Sequence, residues 1–217
     1  MPRIVSPSKP DTGGEKGIHV LCEKPLSTDL GEAQPVVATA KRHPELKVMA
    51  DFSRRFDASY RDTSEEIFQG KTIGNSFMVR SNTCDLRDGT GFFVRYASRN
   101  GGLLGRWDTS APPRIEELSD VDNAVGMVEF WGGKIAYFYC SRTQAHGHDV
   151  FTEVTGTDGK IMVNVMPHRN HVVVPDKLGM RNEVPPEYWQ RFEDAFALEA
   201  NEFTEAVLKD KPVPFAT

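Results

Sequence analysis

Lys24 stands where a side chain can do chemistry. It follows a short apolar run, Gly17-Ile18-His19-Val20-Leu21-Cys22, and lies between Glu23 and Pro25. Such a run reads as a short strand and the proline as the turn that ends it. The amine therefore sits at a strand's carboxyl end, the edge of an open α/β sheet at which ligands bind. There it can take or give a proton, or it can simply cap the strand. Arg54 and Arg55, in Ser53-Arg54-Arg55-Phe56-Asp57, open a helical segment and either serve a site or pair with local carboxylates. His146 and His148, in Ala145-His146-Gly147-His148-Asp149, fall in a strand-to-strand loop just after Arg142. They read as exposed loop residues or as metal ligands. Ligands this close in sequence rarely complete a tetrahedral site, and no Cys or carboxylate stands at supporting spacing, so no metal is expected.

The elements that must position these groups follow from pattern. Ser27-Thr28-Asp29 offers N-caps for a helix reaching His43, with Pro44 as its stop. Lys47 to Phe52 reads as a second short strand, so 17–52 is a strand-helix-strand unit of the parallel kind. A helix is expected from Ser53 to Gln69, closed by Gly70. From Ile73 onward the pattern changes to alternating runs at 75–84, 123–131, 134–142, 150–155 and 160–165, with a weaker sixth at 171–174. Trp131-Gly132-Gly133-Lys134 and Thr157-Asp158-Gly159-Lys160 place glycine turns between such runs, which makes the sheet antiparallel. Phe192, Phe196, Leu198, Phe203, Ala206 and Val207 recur at near-helical spacing, so one amphipathic helix over 188–208 is expected to cover that sheet.

Composition narrows the function. With 217 residues, 39% of them hydrophobic, the chain can bury a core. A formal charge of −5 with scattered basic residues argues against nucleic acid, which needs clustered Lys and Arg to displace counterions. The three cysteines, Cys22, Cys84 and Cys140, lack C-x-x-C spacing and read as buried reduced thiols. No apolar run approaches the length of a bilayer crossing, and the opening residues have no secretory h-region. A soluble, cytoplasmic protein is the expectation.

Cys22-Glu23-Lys24-Pro25, Arg54-Arg55-Phe56-Asp57, Cys84-Asp85 through Phe92-Phe93-Val94-Arg95-Tyr96, Asp120-Val121-Asp122-Asn123-Ala124 and Cys140-Ser141-Arg142 occur in this order. In these motifs the chain resembles the Gfo/Idh/MocA oxidoreductases, and among them the inositol 2-dehydrogenase-like members. The resemblance implies an α/β (α+β) fold, with a remnant of a Rossmann βαβ unit followed by a predominantly antiparallel open sheet backed by helices. Its implied divisions are an irregular leader at 1–16, a dinucleotide-binding remnant at 17–70 and the sheet domain at 71–217. It implies NAD or NADP as cofactor, Lys24 as catalytic residue between nicotinamide and a polyol or sugar, and Glu23, Pro25, Arg54 and Arg55 beside the cofactor. It also implies Arg142, His146 and His148 on the substrate side, and a homodimer through the open sheet face.

Two departures set this chain apart from that family. No Gly-x-Gly-x-x-Gly follows an apolar strand anywhere; Gly101-Gly102 with Gly105 has neither the spacing nor the context of a phosphate cradle. Most of the nucleotide half is therefore expected to be missing, leaving bare strand edges. The family's Gly-Gly-x-x-x-Asp-x-x-x-His helix begins at Gly101 but runs into Thr109-Ser110-Ala111-Pro112-Pro113 without its histidine, and Arg106 stands at the aspartate's offset. Three functions remain open: an NAD(P)-dependent polyol or sugar dehydrogenase with impaired or lost cofactor binding; a dimeric scaffold or binding module without redox chemistry, which the residues by themselves favour; or a small-metabolite proton-transfer, cyclisation or elimination enzyme needing no nicotinamide.

Overall fold

The computed structural model describes residues 3–5, 17–24, 26–27, 30–87, 123–177 and 179–214. Pro25, the segment from Phe92 to Tyr96, the glycines at 101, 102 and 105 and the motif residues Asp120 to Asp122 lie outside them. The chain divides into two compact units, Met1–Ala58 with Phe192–Thr217, and Ser59–Arg191.

In the first unit, strands β1 (Arg3–Val5), β2 (Val20–Cys22) and β3 (Val48–Ala50) form a parallel sheet in the order β1-β2-β3. The leader expected to be irregular thus contributes a strand, with Ile4 opposite Leu21. The reason is physical: a bare edge of β2 would expose unpaired backbone groups, and an Ile-Val pair has the β propensity to cover them. Helix α1 (Leu30–Arg42) joins β2 to β3 despite Pro35 in its interior. Ser27 Oγ donates to Glu32 Oε2 at 2.8 Å, tying the helix's first turn to the residues before it. His19 Nδ1 accepts the backbone N–H of Lys47 at 2.9 Å, a satisfied edge histidine.

The segment after β3 does not form one helix. Ser53–Arg55 is a single 3₁₀ turn, α2 (Ala58–Glu65) follows, and the last turn, Glu66–Gly70, widens to π geometry before Lys71 turns left-handed at φ 52°. Phe56 is buried between turn and helix, which breaks the continuous helical run the pattern suggested.

The second unit is built on a five-stranded sheet of β4 (Ser76–Leu86), β5 (Asn123–Phe130), β6 (Lys134–Gln144), β7 (Asp149–Gly156) and β8 (Lys160–Val163). Their order is β5-β6-β4-β7-β8. Three neighbouring pairs are antiparallel and β4–β6 is parallel. Gly132 and Gly133, at φ 90° and 78°, make the expected β5–β6 turn. Tyr60 on α2 hydrogen-bonds Thr152 Oγ1 at 2.9 Å, so α2 backs the face on which Ala136, Val150 and Val154 are buried. The weak sixth strand is a separate hairpin, β9 (Val173–Asp176) with β10 (Gly179–Asn182), the second strand having escaped the pattern.

The C-terminal helical run splits into a short α3 (Tyr188–Arg191) and α4 (Glu193–Leu208). α4 does not belong with the large sheet, as its amphipathic pattern had suggested, but with the first unit. Its buried residues, Ala195, Glu199, Phe203 and Ala206, form one stripe at helical spacing. The helix packs beside the Ser53–Arg55 turn, and Arg54 lies over the Phe192 ring, 5.9 Å from its centre. Periodicity identified a helix with a buried face; it carried no information on which apolar surface that face would meet.

Candidate functional site

β2 and β3 run parallel with Cys22 opposite Ala50, and the N–H of Asp51 donates to the carbonyl of Cys22 at 2.7 Å. Glu23 and Asp51 are therefore the first residues past the same sheet edge, side by side. Lys24 follows Glu23 at that edge. Asp51 is hydrogen-bonded to Glu23 on one side and to Glu199, reaching from α4, on the other. The result is a string of three carboxyl groups ending beside an ammonium.

Two members of the string are buried, and Glu23 lies exposed at its end. Asp51 is 3% exposed and Glu199 2%. Desolvation is the first cause raising all three acids, since removing water penalises the charged form. It pushes Glu23 up to about 7, helped by the bond from Asp51 and its charge and opposed by Lys24. Asp51 is pushed up to about 6 by burial and then by its bond to Glu199. Glu199 is raised by burial and by the charge of Glu23. The Cys22 thiol is raised by burial and by the charges of Glu23 and Asp51. Proton binding is thus strengthened along the string that ends beside Lys24.

Of the other residues singled out in this unit, Arg55 stacks on the Phe52 ring at 4.7 Å, so both arginines of the pair are engaged with aromatic faces. An apolar cavity of about 890 Å³ opens on the Lys24 side, lined by residues that include Leu26, Val36, Val37, Val48 and Phe52.

In the second unit the topology gathers a different set. β4 lies between β6 and β7, and its register slips between Cys84 and Leu86. That irregularity takes Asp85 out of the β6 ladder and points its carboxylate at groups arriving from both neighbours. Arg142 of β6 ion-pairs with Asp85 Oδ2, and His148, just ahead of β7, bonds Asp85 Oδ1 through Nδ1 at 2.6 Å. His148 is 1% exposed and meets Tyr188 edge-on with ring centres 5.4 Å apart. The backbone N–H of His148 donates to the carbonyl of Pro185 at 2.8 Å. Gly147 supplies φ 120°, and a Cβ there would come within 2.8 Å of that same carbonyl. His146 points elsewhere, with Nε2 3.9 Å from Asp149 and half its side chain exposed.

Arg142 and His148 are thus brought together by Asp85, whereas His146 is not part of that cluster. Asp51, Glu199 and Tyr188 were missed as site residues. Asp51 could have been found, because an acid closing an apolar parallel strand lies at the ligand edge by rule. Glu199 and Tyr188 sit in helical patterns where nothing local marks them.

Residues 12–52 match the family described as oxidoreductase family, NAD-binding Rossmann fold. The scyllo-inositol 2-dehydrogenase (NAD(+)) of Bacillus subtilis strain 168 is 30% identical over 219 residues, covering 91% of this chain and 63% of that protein. The myo-inositol 2-dehydrogenase of Thermotoga maritima is 26% identical over 215 residues, covering 89% and 64%. This chain therefore spans less than two thirds of the length of these relatives. Among solved structures, the scyllo-inositol dehydrogenase from Lactobacillus casei with bound NAD(H) and scyllo-inositol superposes with TM-score 0.81 at 26% identity, over 93% of this chain and 66% of that one. The myo-inositol 2-dehydrogenase from Lactobacillus plantarum gives 0.87 at 25% identity, over 98% and 72%. The motif order, the parallel unit ending in Glu-Lys and the mostly antiparallel sheet agree with these matches: the chain is similar to the Gfo/Idh/MocA oxidoreductases, and among them to the inositol dehydrogenases.

Proposed function

We propose that this protein acts as an NAD(P)-dependent dehydrogenase of an inositol-type polyol, with Lys24 at the reacting hydroxyl and a weakened hold on the dinucleotide. The observation that carries the reading is Lys24 at the carboxyl edge of the parallel β2–β3 pair, beside acids that hold protons near neutrality. Oxidising an alcohol requires its hydroxyl proton to leave as hydride departs, and a positioned acid or base contributes about 10²- to 10⁴-fold. Lys24 would hold the hydroxyl, with the carboxyl string behind it as the place to which a proton can pass.

A bound nicotinamide would supply the hydride acceptor. The described residues do not fit the rest of that cofactor. Among the described residues of the first unit Gly17 lies ahead of β2 and Gly31 inside α1, so no glycine turn at a strand's carboxyl end among them presents backbone N–H groups to a pyrophosphate. The relatives' names favour the dehydrogenase reading over a non-redox scaffold.

In the same proposal Arg142 and His148 shape the substrate side through Asp85, His146 reaches the substrate from its loop, and Arg54, Arg55 and Glu23 border the cofactor. Two copies associate through the sheet face opposite α2, where Val125 and Met127 are 69% and 71% exposed and share that face with Met78, Ile135 and Met162. The setting is the cytoplasm, where the free thiols of Cys22, Cys84 and Cys140 stay reduced. The partner molecules are then a small polyol and a second copy, with neither nucleic acid nor membrane involved.

The test is titration with NAD(H) and NADP(H), read as a shift in the unfolding midpoint, together with turnover of scyllo- and myo-inositol followed at the absorbance of the reduced nicotinamide. The expected result is turnover only at high nucleotide concentration, lost in Lys24→Ala with the circular dichroism unchanged. No turnover at any concentration, or turnover that survives Lys24→Ala, would overturn it.

A further inference from the structure

Ionised carboxylates are acceptors only. Asp51 Oδ1 and Glu199 Oε1 are both buried, and no donor from the described residues reaches either. Yet the two carboxyl groups act on one another across the join between the end of β3 and α4. Two acceptors cannot bond without a proton between them, and leaving both ionised and dry would bury like charges with nothing to offset them. The missing partner is a proton.

We propose that Asp51 and Glu199 form a proton-operated latch that seats α4 against the strand ends carrying Lys24, closed when the pair shares a proton and loosened when both acids ionise. The charged and titratable groups that act on it are Cys22 of β2 and Glu23 and Lys24 just past it. Of these, Lys24 favours ionisation of Asp51, while Glu23 both bonds it and, by its charge, raises Glu199. Glu199 lies between Ala195 and Phe203 on the stripe that α4 buries, so opening the latch strains the seating of the whole helix rather than one side chain. The inference does not depend on the redox reading: it concerns the seat of α4 and would hold for a chain without any nucleotide.

The sign follows from linkage. Acids that bind protons more tightly in the folded state stabilise it fully below the ordinary carboxylate range and lose that contribution as pH rises through about 6 to 7, the values reached by Asp51 and Glu23. Each pH unit between pH 5 and the folded value of about 6 corresponds to a tenfold change, so Asp51 alone raises the unfolding constant about tenfold between pH 5 and pH 8.

The experiment measures thermal unfolding and amide-exchange protection factors at pH 5 and pH 8 for the whole chain, Glu199→Gln and Asp51→Asn, with α2 as the internal reference. In the parent chain the midpoint and the protection of α4 are expected to fall toward pH 8, while α2 changes less. Glu199→Gln supplies a donor that needs no titration, so its α4 stays protected at pH 8. A parent chain whose α4 protection is flat over this window, or variants that keep the full loss, would overturn the latch. Should either variant fail to fold, carbon-13 titration of the Asp51 carboxyl in the parent decides the matter: a midpoint near 6 supports the proposal and one near 4 sinks it.

Discussion

Asp85 is the residue on which the second cluster turns. Its two oxygens are divided between Arg142 and Nδ1 of His148, the latter at 2.6 Å, so one carboxylate neutralises a guanidinium and orients an imidazole. Removing its charge while keeping its shape tests that role. Asp85→Asn should cost about 1–3 kcal/mol in urea unfolding, because the bond to a buried histidine and a charge-assisted bond to arginine are both weakened. A variant as stable as the parent would show that solvent replaces the carboxylate without loss. The resemblance singled out Arg142 and His148 as site residues; Asp85 stood in one of its motifs, after Cys84, without being given a role.

At the scale of elements, α4 shows how a correctly recognised helix can be assigned to the wrong neighbour. Its period was plain from Phe192 to Val207, and its stripe is buried as that period requires. What seats it is Phe192 and Phe203 at 0% and 1% exposure, together with Glu199 at the carboxyl string. Phe203→Ala should therefore destabilise the first unit by about 3–5 kcal/mol through lost burial and the cavity left behind. Amide exchange would show the loss in α4 and β3 before the sheet of the second unit. Equal loss in β4 and β7 would mean that the two units unfold as one. The segment after β3 teaches the complementary lesson: Phe56 prefers burial to helical continuity, and the helix restarts at Ala58.

For the whole molecule, the decisive feature is a sheet with one face backed by α2 and the other open. The face opposite α2 carries exposed apolar side chains on β5, β6, β4 and β8, with Arg80, Glu129 and Glu153 among them. Replacing Met127 by Lys, at a position 71% exposed, removes no core contact but places a charge on that face beside Val125. Light scattering should report a dimer for the parent chain and a monomer for Met127→Lys, with the unfolding midpoint of the isolated subunit little changed. A parent chain that is monomeric at high concentration would remove the dimer from the proposal.

Local order was legible in the residues themselves. Lys24 at a strand end, the parallel strand-helix-strand unit, the alternating runs and the glycine hairpin all follow from short-range periodicity and backbone freedom, which depend only on neighbours in the chain. Three things were decided by the tertiary structure: the pairing of Arg3–Val5 with β2, the union of Asp51 with Glu199 across well over a hundred residues of chain, and the placing of Asp85 between Arg142 and His148. Each depends on which strands become neighbours and which face a helix presents. Burial and proton sharing arise only once distant groups exclude water together, and no local pattern records that.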